Sequence, residues 1–116
     1  MNLVARDIEH AADAVRTANH STARGVLDGP QSYDAVGNLA ELVHRLPHLV
    51  DFVVRSLRRA DPVEHYDDRG RDAGPALDAA RERLDDVRGC LGDLAEHLDA
   101  AHNHLGHVGR RLKEDR

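Results

Sequence analysis

Apolar residues recur at a regular heptad spacing through the C-terminal part of the chain. Leucines occupy every seventh position from Leu77 to Leu112, and no proline interrupts them. A second set of apolar residues follows three positions after the leucines, at Ala80, Val87, Leu94, Ala101 and Val108. This spacing is typical of a helix that buries a narrow seam against other helices. We therefore predict a long helix over residues 76–112, with the heptads covering roughly 54 Å at ~1.5 Å per residue.

A second helix is predicted over residues 33–59, where apolar residues again alternate at spacings of three and four. We expect Ser32 to cap its N-terminus, because the Asp-Gly-Pro sequence at residues 28–30 is typical of a turn. Two leucines beside the seam give this helix a broader apolar face than a single neighbouring helix needs. The seam is Val36, Leu39, Val43, Leu46, Val50, Val53 and Leu57, and the leucines beside it are Leu42 and Leu49. Since the pattern continues across Pro47, we predict one kinked helix and not two.

Two weaker segments complete the chain. Apolar residues between Leu3 and Ala18 predict a short amphipathic helix over residues 3–20. Its apolar stripe is mostly alanine and valine, so we expect this helix to pack weakly against the rest of the protein. Residues 61–75 combine proline and glycine with many charged side chains, a composition that predicts a solvated loop.

These elements predict an all-α fold with a single domain over residues 1–116. We expect an antiparallel, coiled-coil-like helical hairpin with an additional short N-terminal helix. Folded back on the last helix, the second helix would leave part of the long seam uncovered. Two hairpins packed together would cover it, so we expect a homodimer that forms a helical bundle, with a lone three-helix bundle as the alternative. The expected interface residues are Leu84, Val87, Leu91, Leu94, Leu98, Leu105 and Val108.

Histidine is unusually frequent, with nine in the chain. Cys90, His97 and His104 share one heptad position beside the leucine seam, and His104 and His107 have a spacing that lets two imidazoles bind one ion. We therefore consider a site for Zn²⁺ or Ni²⁺ at His97, His104 and His107, with ligands shared between two chains. No HExxH or paired CxxC motif is present, so a solvated polar face is the simpler interpretation. Cys90 has no histidine base within reach, and we expect an inert, buried or half-buried thiol.

A Glu-x-x-His spacing occurs at Glu41 and His44, as in one helix of a di-iron bundle, but it occurs only once. At about 100° per residue, His44, His48 and Asp51 point away from the mean apolar direction of their helix. We therefore expect these three side chains on the solvent side of the second helix.

Composition and the absence of known motifs disfavour several classes of function but do not identify one. The formal charge of −5 disfavours general affinity for nucleic acid. A basic group is nevertheless present at the end of the second helix and in the loop, formed by Arg55, Arg58, Arg59, Arg69 and Arg71. No apolar run is long enough to span a membrane, no signal peptide precedes the first helix, and no catalytic motif is present. We expect a cytoplasmic, non-catalytic scaffold or adaptor that binds itself and another protein. The alternatives are a metal-binding or metal-sensing bundle and a nucleic-acid accessory protein.

Overall fold

The computed structural model describes residues 2–112, which form three α-helices in the order that the sequence predicts. Helix α1 spans Leu3–Ser21, α2 spans Gly29–Arg59 and α3 spans Ala73–Leu105. Helices α2 and α3 pack against each other in antiparallel fashion and form the body of the molecule. The prediction of an all-α helical hairpin with an extra N-terminal helix is confirmed.

The start of α2 differs from the prediction. Asp28, and not Ser32, caps the helix, because its carboxylate accepts a hydrogen bond from the Gln31 backbone N–H at 2.8 Å. The Gln31 side chain in turn accepts a hydrogen bond from the backbone N–H of Asp28 at 3.0 Å. Such a reciprocal pair satisfies two donors at a helix start, and Pro30 fits in the first turn because the N–H it lacks would have no partner there. The predicted turn at residues 28–30 is therefore the first turn of the helix.

Helix α3 begins earlier and ends earlier than predicted. Asp72 caps its N-terminus by accepting a hydrogen bond from the Gly74 N–H at 3.2 Å. At the other end the helix stops at Leu105 and Gly106 is its C-cap. Glycine is about 1 kcal/mol less favourable than alanine inside a helix, and Gly106 and Gly109 fall within four residues of each other. The heptad pattern continues to Leu112, but its last stretch is not helical.

Helix α2 runs without a break through Pro47, which confirms the prediction of one helix instead of two. Proline removes one backbone hydrogen bond and costs about 3 kcal/mol in a helix interior. Pro47 is half-buried on the side of α2 that faces α3, so packing against the neighbouring helix offsets part of that cost.

Helix α1 packs weakly, as its alanine-rich and valine-rich stripe predicts. None of its residues is buried, and none of its Cα atoms lies within 8 Å of a Cα atom in α2 or α3. A shallow groove separates its first turns from the end of α2, with Val4 and Ile8 on one side and Phe52 and Leu57 on the other. This helix therefore covers only the C-terminal end of α2.

The segment between α2 and α3 is solvated, and it has local structure that the sequence did not predict. One 3-10 turn spans Pro62–Glu64, and an isolated bridge joins Asp67 to Arg71. Gly70 takes a φ of 81° in that turn, a conformation that favours glycine. The Arg69 guanidinium donates hydrogen bonds to the Asp67 carboxylate and lowers the pKa of that carboxyl from 3.8 to about 2.

Candidate interaction surface

The register of the hairpin is fixed by contacts along its whole length. Gly37 of α2 lies directly against the imidazole of His102, and Asp51 accepts a hydrogen bond from Arg88 at 2.6 Å. Beyond the helix ends, Arg110 pairs with Asp28 at 3.1 Å. Because the helices run in opposite directions, the middle of α2 around Leu46 lies level with the middle of α3 around Leu94.

On the α2 side the line of contact is built mainly from small and polar residues, and α3 contributes a row of leucines. The buried residues in it are Ala40 and Val54 of α2 and Leu91 and Ala95 of α3. Small residues let two helices approach closely, and Gly37 makes room for His102, whose ring also stacks on Tyr33 with centroids 4.1 Å apart. The apolar surface buried between the helices is therefore modest.

Two polar residues expected on the solvent side of α2 reach α3 instead. His44 is hydrogen bonded to Asp99 through Nε2 at 2.8 Å, and Asp51 binds Arg88. The expectation for these two residues is wrong because it took the mean apolar direction of α2 as the direction of α3. The apolar face of α2 is broad, and α3 packs against one edge of it.

The rest of the apolar side of α2 is uncovered. Leu39 is 51% exposed and Leu42 is 39% exposed, while Leu46 and Leu49 are half-buried. Helix α1 covers the same side only farther along, near Val53. A row of leucines thus remains open to solvent over the first two thirds of α2.

Helix α3 has a matching uncovered row. Its leucines at the first heptad position, from Leu77 to Leu105, are buried or half-buried against α2. The second heptad position is exposed, with Leu94 at 50% and Val87 at 40%. The predicted interface residues therefore fall into two groups. Leu84, Leu91, Leu98 and Leu105 pack within the hairpin, and Val108, although half exposed, lies against Gly29 at the start of α2. Val87 and Leu94 lie beside the contact and are exposed.

The two uncovered rows lie on the same side of the hairpin. In each helix an uncovered residue comes one position before a residue of the contact line. The pairs are Leu39 and Ala40, and Leu46 and Pro47, in α2, and Val87 and Arg88, Leu94 and Ala95, and Ala101 and His102 in α3. One position rotates a side chain by about 100°, and because the helices are antiparallel the same rotation along each chain leads to the same side. We call this surface the open apolar face.

The open apolar face has the size of a substantial protein contact. It extends for about 20–30 Å along two adjacent helices, whose combined width is roughly 20 Å. The resulting area is on the order of 400–600 Å², compared with about 800 Å² per partner in a standard protein–protein interface. Polar residues border it on the α3 side, including Cys90 and His97.

The histidines singled out from the sequence lie on the α3 border of this face. His97 and His104 are exposed, and His107 is exposed beyond the end of the helix. Over residues 2–112 no three histidine, cysteine or acidic side chains are grouped so that they could hold a metal ion. A site completed by a second chain stays a prediction. Cys90 is exposed on the same border, so the expectation of a buried or half-buried thiol is wrong.

The sequence did not predict a polar cleft that lies at the end of the hairpin where α2 begins and α3 ends. It has a volume of about 510 Å³ and is lined by Tyr33, Asp99, His102, Asn103, Gly106 and His107. The pairing of Gly37 with His102 is the sequence signal that could have located it, but only once the hairpin register is known.

Comparison with protein-family models, with curated proteins and with solved structures gave no match. Of the three helices, none has a stretch apolar and long enough for a membrane crossing, within the part of the chain that the structure describes.

Proposed function

We propose that this protein is a non-catalytic helical scaffold that acts through protein–protein contact and works as a homodimer. The open apolar face carries the proposal. The largest exposed apolar patch of a monomeric protein is about 300–600 Å² and is often functional, and a patch bordered by polar residues is typical of a contact surface. Isolated exposed leucines are common in monomers, but here they form two rows on one side of the hairpin.

A second copy of the chain is a suitable occupant because the face is long, nearly flat and formed by two helices. Two such faces placed together produce a four-helix core, the arrangement in which paired helical hairpins bury their apolar surfaces. The second apolar position of the α3 heptads, uncovered in one chain, then takes part in the core.

A pair of neighbouring alanines provides a matched test. Ala101 lies on the open apolar face and Ala100, the residue before it, points away from that face, although both are exposed in the same helix. We expect the parent protein to sediment at equilibrium with twice the 12.8 kDa chain mass. Ala101→Asp should shift the equilibrium towards the monomer, because it places a charge in an apolar contact.

The control is Ala100→Asp, which adds the same charge to the same helix and should leave the dimer intact. A parent protein that sediments as a 12.8 kDa monomer at micromolar concentration would refute the homodimer. Equal effects of the two substitutions would show that the charge acts on the helix itself and not on an interface.

Cytoplasmic location, the absence of catalysis and the existence of another protein partner stay predictions. Among the described residues, no grouping of ligands favours the metal-binding alternative. The arginines behind the nucleic-acid alternative are partly engaged in acidic pairs, since Arg55 lies 3.3 Å from Asp51 and Arg69 lies 2.7 Å from Asp67.

A further inference from the structure

We infer that α1 is a hinged lid that closes lengthwise onto the side of α2 turned away from α3, with Ala11 packed on Leu49 and Ala18 packed on Leu42. The structure shows this helix in its open position, in which only its first turns meet α2. The closure concerns contacts within one chain and does not depend on the proposed homodimer.

Two leucines of α2 lie too far around the helix to belong to the open apolar face. Leu42 and Leu49 are seven residues apart, and each points about 150° or more away from the line of contact with α3. A second copy placed on the open apolar face reaches Leu39 and Leu46 but not this far side. Leu42 is 39% exposed and Leu49 is half-buried, so the far side of α2 has apolar surface for another helix.

Helix α1 carries an apolar stripe that lacks a full partner. The stripe is Val4, Ile8, Ala11, Val15 and Ala18. Only its start is covered, because Val4 is half-buried whereas Ile8 is 42% exposed and Val15 is 44% exposed. A helix of 19 residues is only marginally stable in water when it buries nothing, so contact along the whole stripe would stabilise α1.

The length of the connecting segment determines the direction of α1. Its first turns line the groove at Ser56 and Leu57, whereas its last residue, Ser21, is only eight residues before Gly29 at the start of α2. Eight residues span at most about 28 Å, while the start of α2 lies roughly 40 Å from the groove. Helix α1, itself about 28 Å long, therefore runs back along α2 in antiparallel fashion.

This direction brings the apolar residues of the two helices level with each other. Val4 and Ser56 line the same groove, and both helices rise by about 1.5 Å per residue. Residues seven and fourteen positions after Val4 are then level with those seven and fourteen positions before Ser56, which pairs Ala11 with Leu49 and Ala18 with Leu42. A small residue opposite each leucine lets two helix axes approach to roughly 8–9 Å.

The connection to α2 permits the movement. After the 3-10 turn over Thr22–Arg24, residues 25–28 are not helical, and Val26 is 96% exposed, so this link is not packed against the hairpin. A groove of about 230 Å³ separates the first turns of α1 from α2, and closure removes it. Helix α1 thus determines whether α2 presents one apolar surface, the open apolar face, or a second one at Leu42 and Leu49 as well.

Disulfide formation within one chain tests the closure. In a Cys90→Ser background, the variant Ala11→Cys/Leu49→Cys has one thiol on each helix at the proposed contact. A disulfide needs Cα atoms within about 7 Å of each other. In the open position every distance between a Cα atom of α1 and one of α2 exceeds 8 Å. We expect a mild oxidant to form the intrachain disulfide rapidly, visible on a non-reducing gel as a band that migrates faster than the reduced chain.

The matched control is Ala12→Cys/Leu49→Cys in the same background, in which the thiol of α1 is turned by about 100° from Ala11. Its disulfide should form about tenfold more slowly, because the two Cβ atoms point apart in the closed position. Equal rates in the two variants, or no disulfide in either, would overturn the inference. A covalent dimer in place of the intrachain product would assign the contact to the partner's α1 and would overturn closure within one chain.

Hydrogen exchange tests the closure without cysteines. Val15 belongs to the stripe, whereas Thr17 points to the opposite side of α1. We expect Val15→Asp to accelerate amide exchange in α1 about tenfold, because the closed contact loses a valine side chain. Thr17→Asp adds the same charge to the same helix and should leave the exchange rates largely unchanged.

Equal acceleration by the two charges would show that α1 depends on its own helix stability alone, and closure would then be wrong. A parent protein that sediments as a monomer refutes the proposed homodimer but leaves the intrachain disulfide and the exchange rates as expected. The failure of closure and the failure of the proposed function are therefore distinguishable.

Discussion

The line of contact between α2 and α3 and the open apolar face beside it differ in residue composition and in exposure. The line of contact with α3 uses glycine, alanine and polar residues on the α2 side, while α3 contributes leucines such as Leu91. Within residues 2–112, Val54 is the most deeply buried residue, with 1% of its surface exposed. The open apolar face beside it uses leucine and valine, yet solvent reaches it. The contact inside the chain thus depends on close approach and register, whereas much of the surface able to supply hydrophobic stabilisation lies outside it. We therefore expect the hairpin to be only weakly stable when alone and to be stabilised by the second copy proposed above.

Substitution of two leucines of α3 should distinguish most clearly between the roles of the contact line and the open apolar face. Leu91 is 7% exposed in the contact line and Leu94 is 50% exposed on the open apolar face, one helical turn apart. We expect Leu91→Asp to unfold the protein, because an unpaired buried charge costs several kcal/mol. Leu94→Asp should dissociate the dimer and leave a weakly stable helical hairpin.

Circular dichroism together with sedimentation reports both outcomes. If Leu94→Asp removed the helical signal as completely as Leu91→Asp, dimerisation and folding would be one inseparable event. If Leu91→Asp retained its helices, the contact line would not hold the hairpin together.

Two glycines test the close approach in the contact line. A Cβ atom on Gly37 would lie 2.8 Å from Nε2 of His102, whereas one on Gly89 would meet no atom within 4 Å. Gly89→Ala should raise the free energy of unfolding by about 0.8–1 kcal/mol, the difference in helix propensity. Gly37→Ala should gain less than this or lose stability, because the His102 ring must move away from Tyr33.

Urea unfolding of both variants measures the difference. In a His102→Ala background the clash is absent, so Gly37→Ala should recover the full gain seen at Gly89. Equal gains in the parent background would show that the approach of α2 to α3 is looser than the contact at Gly37 requires.

The smallest expected effect concerns the turn at residues 67–71, which belongs to neither side of the hairpin. Arg69 lowers the pKa of Asp67 to about 2 from an ordinary 3.8, so the pair contributes stability that is present above pH 4 and is lost as the pH falls towards 2. Carboxyl NMR titration should place the midpoint of Asp67 near pH 2 in the parent protein. In Arg69→Gln the midpoint should return towards 3.8, with no change in the dimer.

Much of the fold follows from local patterns that the sequence displays directly. The number of helices, the solvated segment between α2 and α3 and the continuity of α2 across Pro47 are confirmed. The ends of the helices were less predictable, because they depend on which of several nearby residues forms the best hydrogen bonds to the unpaired backbone groups there. Asp28 with Gln31 makes a reciprocal cap that Ser32 does not, and the glycines at 106 and 109 end α3 while the leucine pattern continues.

The open apolar face was only partly predictable. The sequence indicated that part of the α3 seam would be uncovered and that α2 had too much apolar surface for one neighbour. It did not show which edge of that surface α3 takes, and therefore misplaced His44 and Asp51. A mean apolar direction describes the burial of a whole helix, whereas packing between two helices depends on where the smallest residues allow the backbones to meet.

The sequence by itself determined which residues are apolar and with what period, and hence that the chain forms helices with more apolar surface than one hairpin covers. These properties are local, since they depend only on the order of residues along the helix. Only the tertiary structure decided that α3 lies along Gly37, Ala40 and Val54, and that the remaining leucines share one side. The reason is physical: a broad apolar face permits several docking directions of similar hydrophobic gain, and close packing at small residues, together with polar pairs such as Asp51 with Arg88, selects one of them.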